Sequence, residues 1–323
     1  MKRAIAGTLV AALITVAILE TAIRVLRVIP DDVPMTYHAA AGDESYAPDP
    51  NALVRSVLGI WHRTNSHGLR GPERPLERTV GRPRVAVVGD SVVWGFGIDQ
   101  EDTISAWLER LASNSGSAIE AWNLGVVAYN TYNEKGEYAR LAPLLRPDVT
   151  IVVVLFNDLQ SRPEYFRITS VGTLADPRLH APYPDGLRPF LEKSALFHAA
   201  IHLYWSAAPP SRGGRASDLA NLPGVLDQLE QIRRIASGVG SALIIAAMPS
   251  AVPEASRFGA LAEALRRYCE QRHVAFVDLS DTLGRPPRHE YLLPSDPVHP
   301  TAQGAKLVAE ALASRVIDVL KQR

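Results

Sequence analysis

One unbroken apolar run constrains the fold more than any other feature: Val149-Thr150-Ile151-Val152-Val153-Val154-Leu155-Phe156. It is rich in β-branched residues and has no polar alternation, so a strand made from it must be covered on both faces. Similar but shorter runs occupy 84–88, 119–124, 242–247 and 274–278. Segments with helical spacing of apolar residues lie between or after them, at 103–113, 133–145, 222–235, 256–271 and 301–320. Ile104, Leu108 and Leu111 share a face of the first, and Ala305, Val308, Leu312, Val316 and Leu320 a face of the last.

Doubly covered strands alternating with helices specify a parallel sheet with helices on each side. The expected fold is therefore α/β, a three-layer α/β/α sandwich with a flavodoxin-like five-stranded sheet. Its strand order would be 2-1-3-4-5. Two regions fall outside this rhythm. Residues 28–83 are broken by Pro30, Pro34, Pro48, Pro50, Pro72 and Pro75 and read as a loop-rich tether packing on the domain, with an edge strand at 58–64. Residues 159–221 carry seven prolines and Gly213-Gly214 and read as an insertion within the domain 84–323, with a helix at 191–205. An insertion after the third strand rises from the ligand-binding edge of such a sheet, as a lid, a substrate wall or a surface elaboration.

The N-terminus sets the compartment. After Lys2 and Arg3, residues 4–19 carry no charge, and Glu20 interrupts before Thr21-Ala22-Ile23. Sixteen helical residues span about 24 Å, short of a bilayer core of about 30 Å. Extension to Ile23 closes the gap with Glu20 near the interface. Residues 1–27 are thus expected to be a transmembrane anchor, with the membrane met through residues 4–23. A cleaved signal peptide, with Ala39-Ala40-Ala41 as its small-residue site, is the competing reading. The basic flanks are nearly balanced, and the large C-terminal part is expected outside the cytoplasm.

Composition removes several function classes. With 34 basic and 34 acidic residues the formal charge is zero, so no basic footprint for nucleic acid exists. Cys269 is the single cysteine, which excludes an intrachain disulfide and a cysteine metal site. His198 and His202 are four apart on a helical segment, but no acidic third ligand stands out, so no metal and no cofactor are expected.

The chemistry lies at the strand ends. Gly89-Asp90-Ser91 follows the first strand, Gly125 the second and Asn157-Asp158 the third; Asp296-Pro297-Val298-His299 precedes the last helix. Each alone reads as a turn or a cap. Together, and in the expected strand order, they converge on one edge. A serine hydroxyl needs a base within hydrogen-bond reach; His299 can be that base, and Asp296 can hold its other ring nitrogen. The N–H groups of Ser91 and Gly125 and the Asn157 amide would receive an oxyanion. Asp90 and Asp158 would hold loops, and Trp94 would pack.

This ordered set resembles the SGNH, or GDSL-type, hydrolase family over residues 84–320. Gly89-Asp90-Ser91-Val92-Val93-Trp94-Gly95 is similar to its first block, Gly125 to the second-block glycine, Asn157 to the third-block asparagine and Asp296-Pro297-Val298-His299 to the fifth block. Asn65-Ser66-His67-Gly68-Leu69-Arg70-Gly71-Pro72 is similar to a lead-in of membrane-anchored bacterial members. Val92 and Leu155 depart from the pattern, at the leucine of the family's name and at a third-block glycine. The resemblance implies a nucleophile at Ser91, a triad completed by Asp296 and His299, and oxyanion donors at Gly125 and Asn157. It implies a serine esterase acting on acyl esters, acetyl foremost, such as an acetylated glycan. Two alternatives stay open: an O-acyltransferase modifying a cell-surface polysaccharide beside a membrane-protein partner, and a non-catalytic binding module.

Overall fold

The computed structural model describes residues 2–26, 35–40, 46–55, 60–159, 219–251, 256–294 and 296–323, and short pieces at 167–168, 174–175, 187–191, 194–197 and 199–200. The chain opens with α1 (Lys2–Val25) and reaches its central sheet at β1 (Arg84–Gly89). A single helical turn, α2 (Ser91–Trp94), and then α3 (Ile104–Asn114) lead to β2 (Glu120–Gly125); α4 (Thr131–Leu145) leads to β3 (Val149–Val154). Beyond residue 219 come α5 (Leu222–Gly238), β4 (Ala242–Ala247), α6 (Ser256–Arg272), β5 (Ala275–Asp278) and the closing helix α7 (Ala302–Lys321).

The five strands pair in parallel throughout, in the order β2-β1-β3-β4-β5. This is the expected fold and the expected order. Strand alternation sends Val85 and Val87 to one face, where they pack with Ile104 and Leu108 of α3 and Val308 and Leu312 of α7. Ala86 and Val88 point to the other face, against Tyr138 and Leu141 of α4, Leu229 of α5 and Leu265 of α6. The connections leaving β1 and β3 run in opposite directions, which opens a crevice beyond the carboxyl ends of these two strands.

Hydrogen-bonding side chains move several boundaries from their expected places. The strand foreseen over 149–156 ends at Val154, because Asp158 Oδ2 accepts from Leu155 N at 2.7 Å and folds Phe156–Leu159 into a 3-10 turn. Helix α4 begins two residues early, where Asn130 caps it by accepting from Tyr132 N at 3.1 Å. The second strand is shifted by one residue, to 120–125. Trp61–Arg63 does not extend the main sheet; it pairs antiparallel with Leu53–Arg55 in a ladder of its own. The helix expected at 191–205 and most of the insertion fall outside the described residues, as do His180, His198 and His202.

Arg84, the first residue of β1, ties the preceding segment to the sheet. It is 1% exposed, and its Nε donates to Glu120 Oε2 on β2 at 2.9 Å. Its Nη1 reaches the carbonyls of Leu76 at 2.7 Å and Leu145 at 3.0 Å. Removing one partner of a buried ion pair strands the other without its counter-charge. Arg84→Met should therefore destabilise the protein by about 3–5 kcal/mol in urea denaturation, and Arg84→Met/Glu120→Met should recover much of the loss.

Candidate active site

Glycine is required twice where β1 turns into α2. A Cβ on Gly89 would lie 2.4 Å from Val93 Cγ2, and one on Gly125 only 2.2 Å from Trp94 N and 2.9 Å from Asp90 O. The turn carrying Ser91 therefore rests directly on the backbone at the end of β2. Asp90 caps α2, its Oδ1 accepting from Val92 N at 2.9 Å. The buried Arg70 guanidinium holds the far side, donating to Trp94 O at 2.8 Å and Ile98 O at 2.6 Å. Trp94 is 2% exposed and packs inside.

The turn at 296–299 is equally fixed. Asp296 N donates to Leu293 O at 3.0 Å, and Leu293 N to His299 O at 2.9 Å. Asp296 Oδ1 accepts from the N–H groups of Val298 at 2.8 Å and His299 at 3.0 Å, while Oδ2 lies 2.7 Å from His299 Nδ1. The other ring nitrogen, Nε2, is 2.8 Å from Ser91 Oγ. A carboxylate on Nδ1 keeps the proton there and leaves Nε2 to accept from the Ser91 hydroxyl. Burial pushes the Asp296 carboxyl up, but the bonds from His299 and Val298 outweigh it and bring it to about 2. The Phe96 ring lies 4.6 Å from that of His299, a contact no sequence pattern announced.

Asn157 reaches the same place. Its Nδ2 donates to Asp90 Oδ2 at 2.7 Å and stands 3.5 Å from Tyr129 O, a distance at the outer limit that leaves the second N–H available. Thus Ser91, His299, Asp296 and Asn157 meet. Gly125 is adjacent, yet its N–H donates to Asn123 Oδ1 at 2.9 Å, so it is not presented as an oxyanion donor; its contribution is steric.

The same loop contains a residue the sequence did not single out. Ala128 has φ 67, left-handed backbone that costs a non-glycine residue about 1–2 kcal/mol. Among the described residues its N–H has no partner, and the same holds for the N–H of Ser91. Tyrosines from a distant segment hold this loop. Tyr46 Oη donates to Val127 O at 3.1 Å, and Tyr129 Oη donates back to Tyr46 O. The Tyr37, Tyr46 and Tyr129 rings pack edge to face, with centroids 5.4 and 5.1 Å apart. A positive φ at alanine leaves no mark in sequence, so Ala128 was not findable there.

Two further carboxyls lie beneath. Asp158 accepts from Thr131 N at 2.6 Å, Thr131 Oγ1 at 2.8 Å and Leu155 N, and burial raises it to about 7 against those bonds. Glu134 is fully buried with both oxygens unpartnered; burial, then the charges of Asp158 and Asp90, push it well above the usual carboxylate range.

Residues 87–307 match the model of the GDSL-like lipase/acylhydrolase family. The chain belongs to this family. It is accordingly a serine hydrolase of the SGNH type. No curated protein matches the chain significantly. Among solved structures it is similar to TesA, with 12% identity over 73% of this chain and 99% of that one and a TM-score of 0.48. A catalytic mutant of Axe2, an acetylxylan esterase from Geobacillus stearothermophilus, shares 13% identity over 73% of this chain and 94% of its own, with a TM-score of 0.46. The psychrotrophic esterase EstA from Pseudoalteromonas sp. shares 13% over 74% and 98%, with a TM-score of 0.45.

Gly125→Ala should lower the melting temperature steeply and reduce soluble yield, whereas Gly224→Ala, where an added Cβ meets nothing within 4 Å, should leave melting nearly unchanged. The Asp296 carboxyl sits below its ordinary 3.8 in the folded protein, so its charge stabilises fully above pH 3.8 and ceases to do so as pH falls through about 2. The melting-temperature gap between the protein and Asp296→Asn should be constant above pH 3.8 and narrow below it.

Proposed function

We propose that the protein is a carboxylic ester hydrolase in which Ser91 is the nucleophile, His299 the general base and Asp296 the group that orients it. The reading rests on the continuous chain Asp296 Oδ2, His299 Nδ1, His299 Nε2, Ser91 Oγ, with links of 2.7 and 2.8 Å. Ser91 Oγ attacks the ester carbonyl as His299 Nε2 takes its proton. Asp296 stabilises the resulting imidazolium without itself accepting the proton. Collapse of the tetrahedral intermediate expels the alcohol, protonated by His299, and leaves an acyl group on Ser91. Water, deprotonated by the same imidazole, then releases the acid.

The oxyanion needs donors that are already in place. Ser91, as the first residue of α2, has an N–H with no intrahelical acceptor. The Asn157 amide, whose second N–H meets only the Tyr129 carbonyl at 3.5 Å, is a second. Ala128 replaces Gly125 as the backbone donor we assign, because its N–H is unengaged and its strained φ is held from outside the loop. Acetyl esters, including acetylated glycans, are the substrates that the family resemblance suggests.

Residues 6–25 of α1 have a mean hydropathy of 2.0 and none of the apolar window is buried, which supports the anchor reading over a buried helix. We place the catalytic domain outside the cytoplasm, tethered by α1, as in membrane-anchored bacterial members.

Ser91→Ala and His299→Ala should each reduce hydrolysis of p-nitrophenyl acetate by about 10⁴-fold or more, with Asp296→Asn comparable or milder. Ser91→Ala should also abolish covalent labelling by a fluorophosphonate. Full labelling of Ser91→Ala would remove this serine from its role. Release of free acetate from an acetylated glycan without any sugar acceptor supports hydrolysis; acceptor-dependent turnover instead supports an O-acyltransferase.

A further inference from the structure

Glu20 is the one acidic residue of α1, and its bonds are not confined to its own helix. Within α1, Oε1 accepts from Arg24 Nε at 2.9 Å and Nη2 at 2.5 Å. The remaining acceptor sites are filled from 174–176 residues away: Ser194 Oγ donates to Oε2 at 2.8 Å, Ala195 N to Oε1 at 2.8 Å and Leu196 N to Oε2 at 2.8 Å. A carboxylate on one helix thus caps the start of the helical turn at 195–197.

The depth of this contact follows from helix geometry. Glu20 lies five residues before Val25, the last residue of the apolar span, about 7.5 Å along the axis. An acidic group at such a depth is tolerated when partners satisfy it, and here the insertion supplies them. The insertion is also rooted at the catalytic edge, since its two ends are joined by Asn221 Nδ2 donating to Leu159 O at 2.8 Å, two residues past Asn157.

Just before Ser194, two large apolar side chains stand uncovered. Leu187 is 51% exposed and Phe190, at 75%, more so. Uncovered apolar residues also run along α1, with Leu13 at 70%, Ile18 at 61% and Val25 at 72%. Phe190 is four residues from Ser194, whose hydroxyl is bonded to Glu20 near the end of the apolar span, so the uncovered pair lies within a short length of chain of that level. Aromatic and leucine side chains at the edge of a bilayer are stabilised by burial among headgroups and acyl chains.

We infer that the pieces of the insertion at 187–191 and 194–197 form a second membrane contact, seated in the bilayer interface by Leu187 and Phe190 and fixed there by Glu20. This rests on the anchor reading of α1 and goes beyond it: the bilayer is met by the insertion that springs from the catalytic rim, as well as by the N-terminal helix. The rim is thereby held against the membrane surface, where an acyl ester carried by a lipid or a surface glycan is presented.

Site-specific quenching in liposomes tests this with the full chain. Cys269 is 1% exposed within α6, and burial raises its thiol to about 12, so an introduced surface cysteine takes the label selectively. Leu13→Cys, Phe190→Cys and Val80→Cys, the last at a position 97% exposed near the start of β1, are each labelled with nitrobenzoxadiazole. The liposomes carry nitroxide-labelled lipids, and fluorophosphonate labelling of Ser91 confirms folding of each variant. The inference expects strong loss of fluorescence at 13 and 190 and none at 80. Quenching at 13 without quenching at 190 overturns the second contact and leaves the anchor standing. Quenching at neither position overturns the anchor reading and the inference with it. Adding Glu20→Leu to Phe190→Cys should restore fluorescence at 190 while quenching at 13 persists; unchanged quenching at 190 overturns the part assigned to Glu20.

Discussion

The site is organised around one desolvated carboxylate, Asp90. It is 2% exposed, and burial raises its pKa, yet Val92 N–H, the Asn157 amide and the positive potential of His299 act in the opposite sense. One oxygen caps the turn that carries Ser91, and the other holds the side chain that follows β3. The ends of two neighbouring strands are therefore coupled through a single group at the switch point of the sheet. The close approach of Gly125 and the Arg70 guanidinium on the Trp94 carbonyl press the same turn from two other sides. A serine on such a turn has little freedom, and catalysis by acyl transfer depends on that loss having occurred before substrate arrives.

Rigidity also comes from outside the sheet. Tyr46 lies in a short strand, Tyr46–Pro48, that pairs among the described residues only with Tyr37–Ala39, yet its hydroxyl fixes the carbonyl of Val127 beside the strained Ala128. Arg70 and Arg84 do the same for the segment between 64 and 77: Arg70 places a buried cation from that segment on carbonyls of the domain, and Arg84 places one from β1 on a carbonyl of the segment. Burying a guanidinium is costly unless its donors find acceptors; both Nη groups of Arg70 do, while its Nε has none among the described residues. These contacts make the proline-rich region before β1 part of the frame that shapes the crevice.

What the sequence disclosed, and what it hid, follows from how local each feature is. The uninterrupted apolar runs at 149–154 and 242–247 announce covered strands because nothing else accommodates them. Asp296-Pro297-Val298-His299 is legible because a carboxylate three residues before an imidazole can bond it within a single turn. The left-handed residue beside the site was not legible. Gly125 attracts attention as a glycine at a strand end, but the need for glycine there is the approach of Trp94 N, and its N–H is already taken by Asn123. The special backbone falls three residues later on an alanine, where composition gives no sign. The end of β3 was placed two residues late for a related reason: Asp158 competes for the Leu155 N–H, and side-chain competition of that kind is invisible to hydrophobic periodicity. Glu134 illustrates the same limit, since its neighbours Asp158 and Asp90 come from other strand ends.

Ser91 and His299 are 208 positions apart, and the imidazole belongs to the final turn before the last helix. As the ribosome delivers the polypeptide in order, the hydroxyl emerges long before the ring hydrogen-bonded to it. A fragment cut before His299 therefore lacks the hydrogen-bond partner of the Ser91 hydroxyl, and the bonded chain from Asp296 to Ser91 cannot form in it. The bond between them forms only once the turn at 296–299 has folded back onto the turn that follows β1.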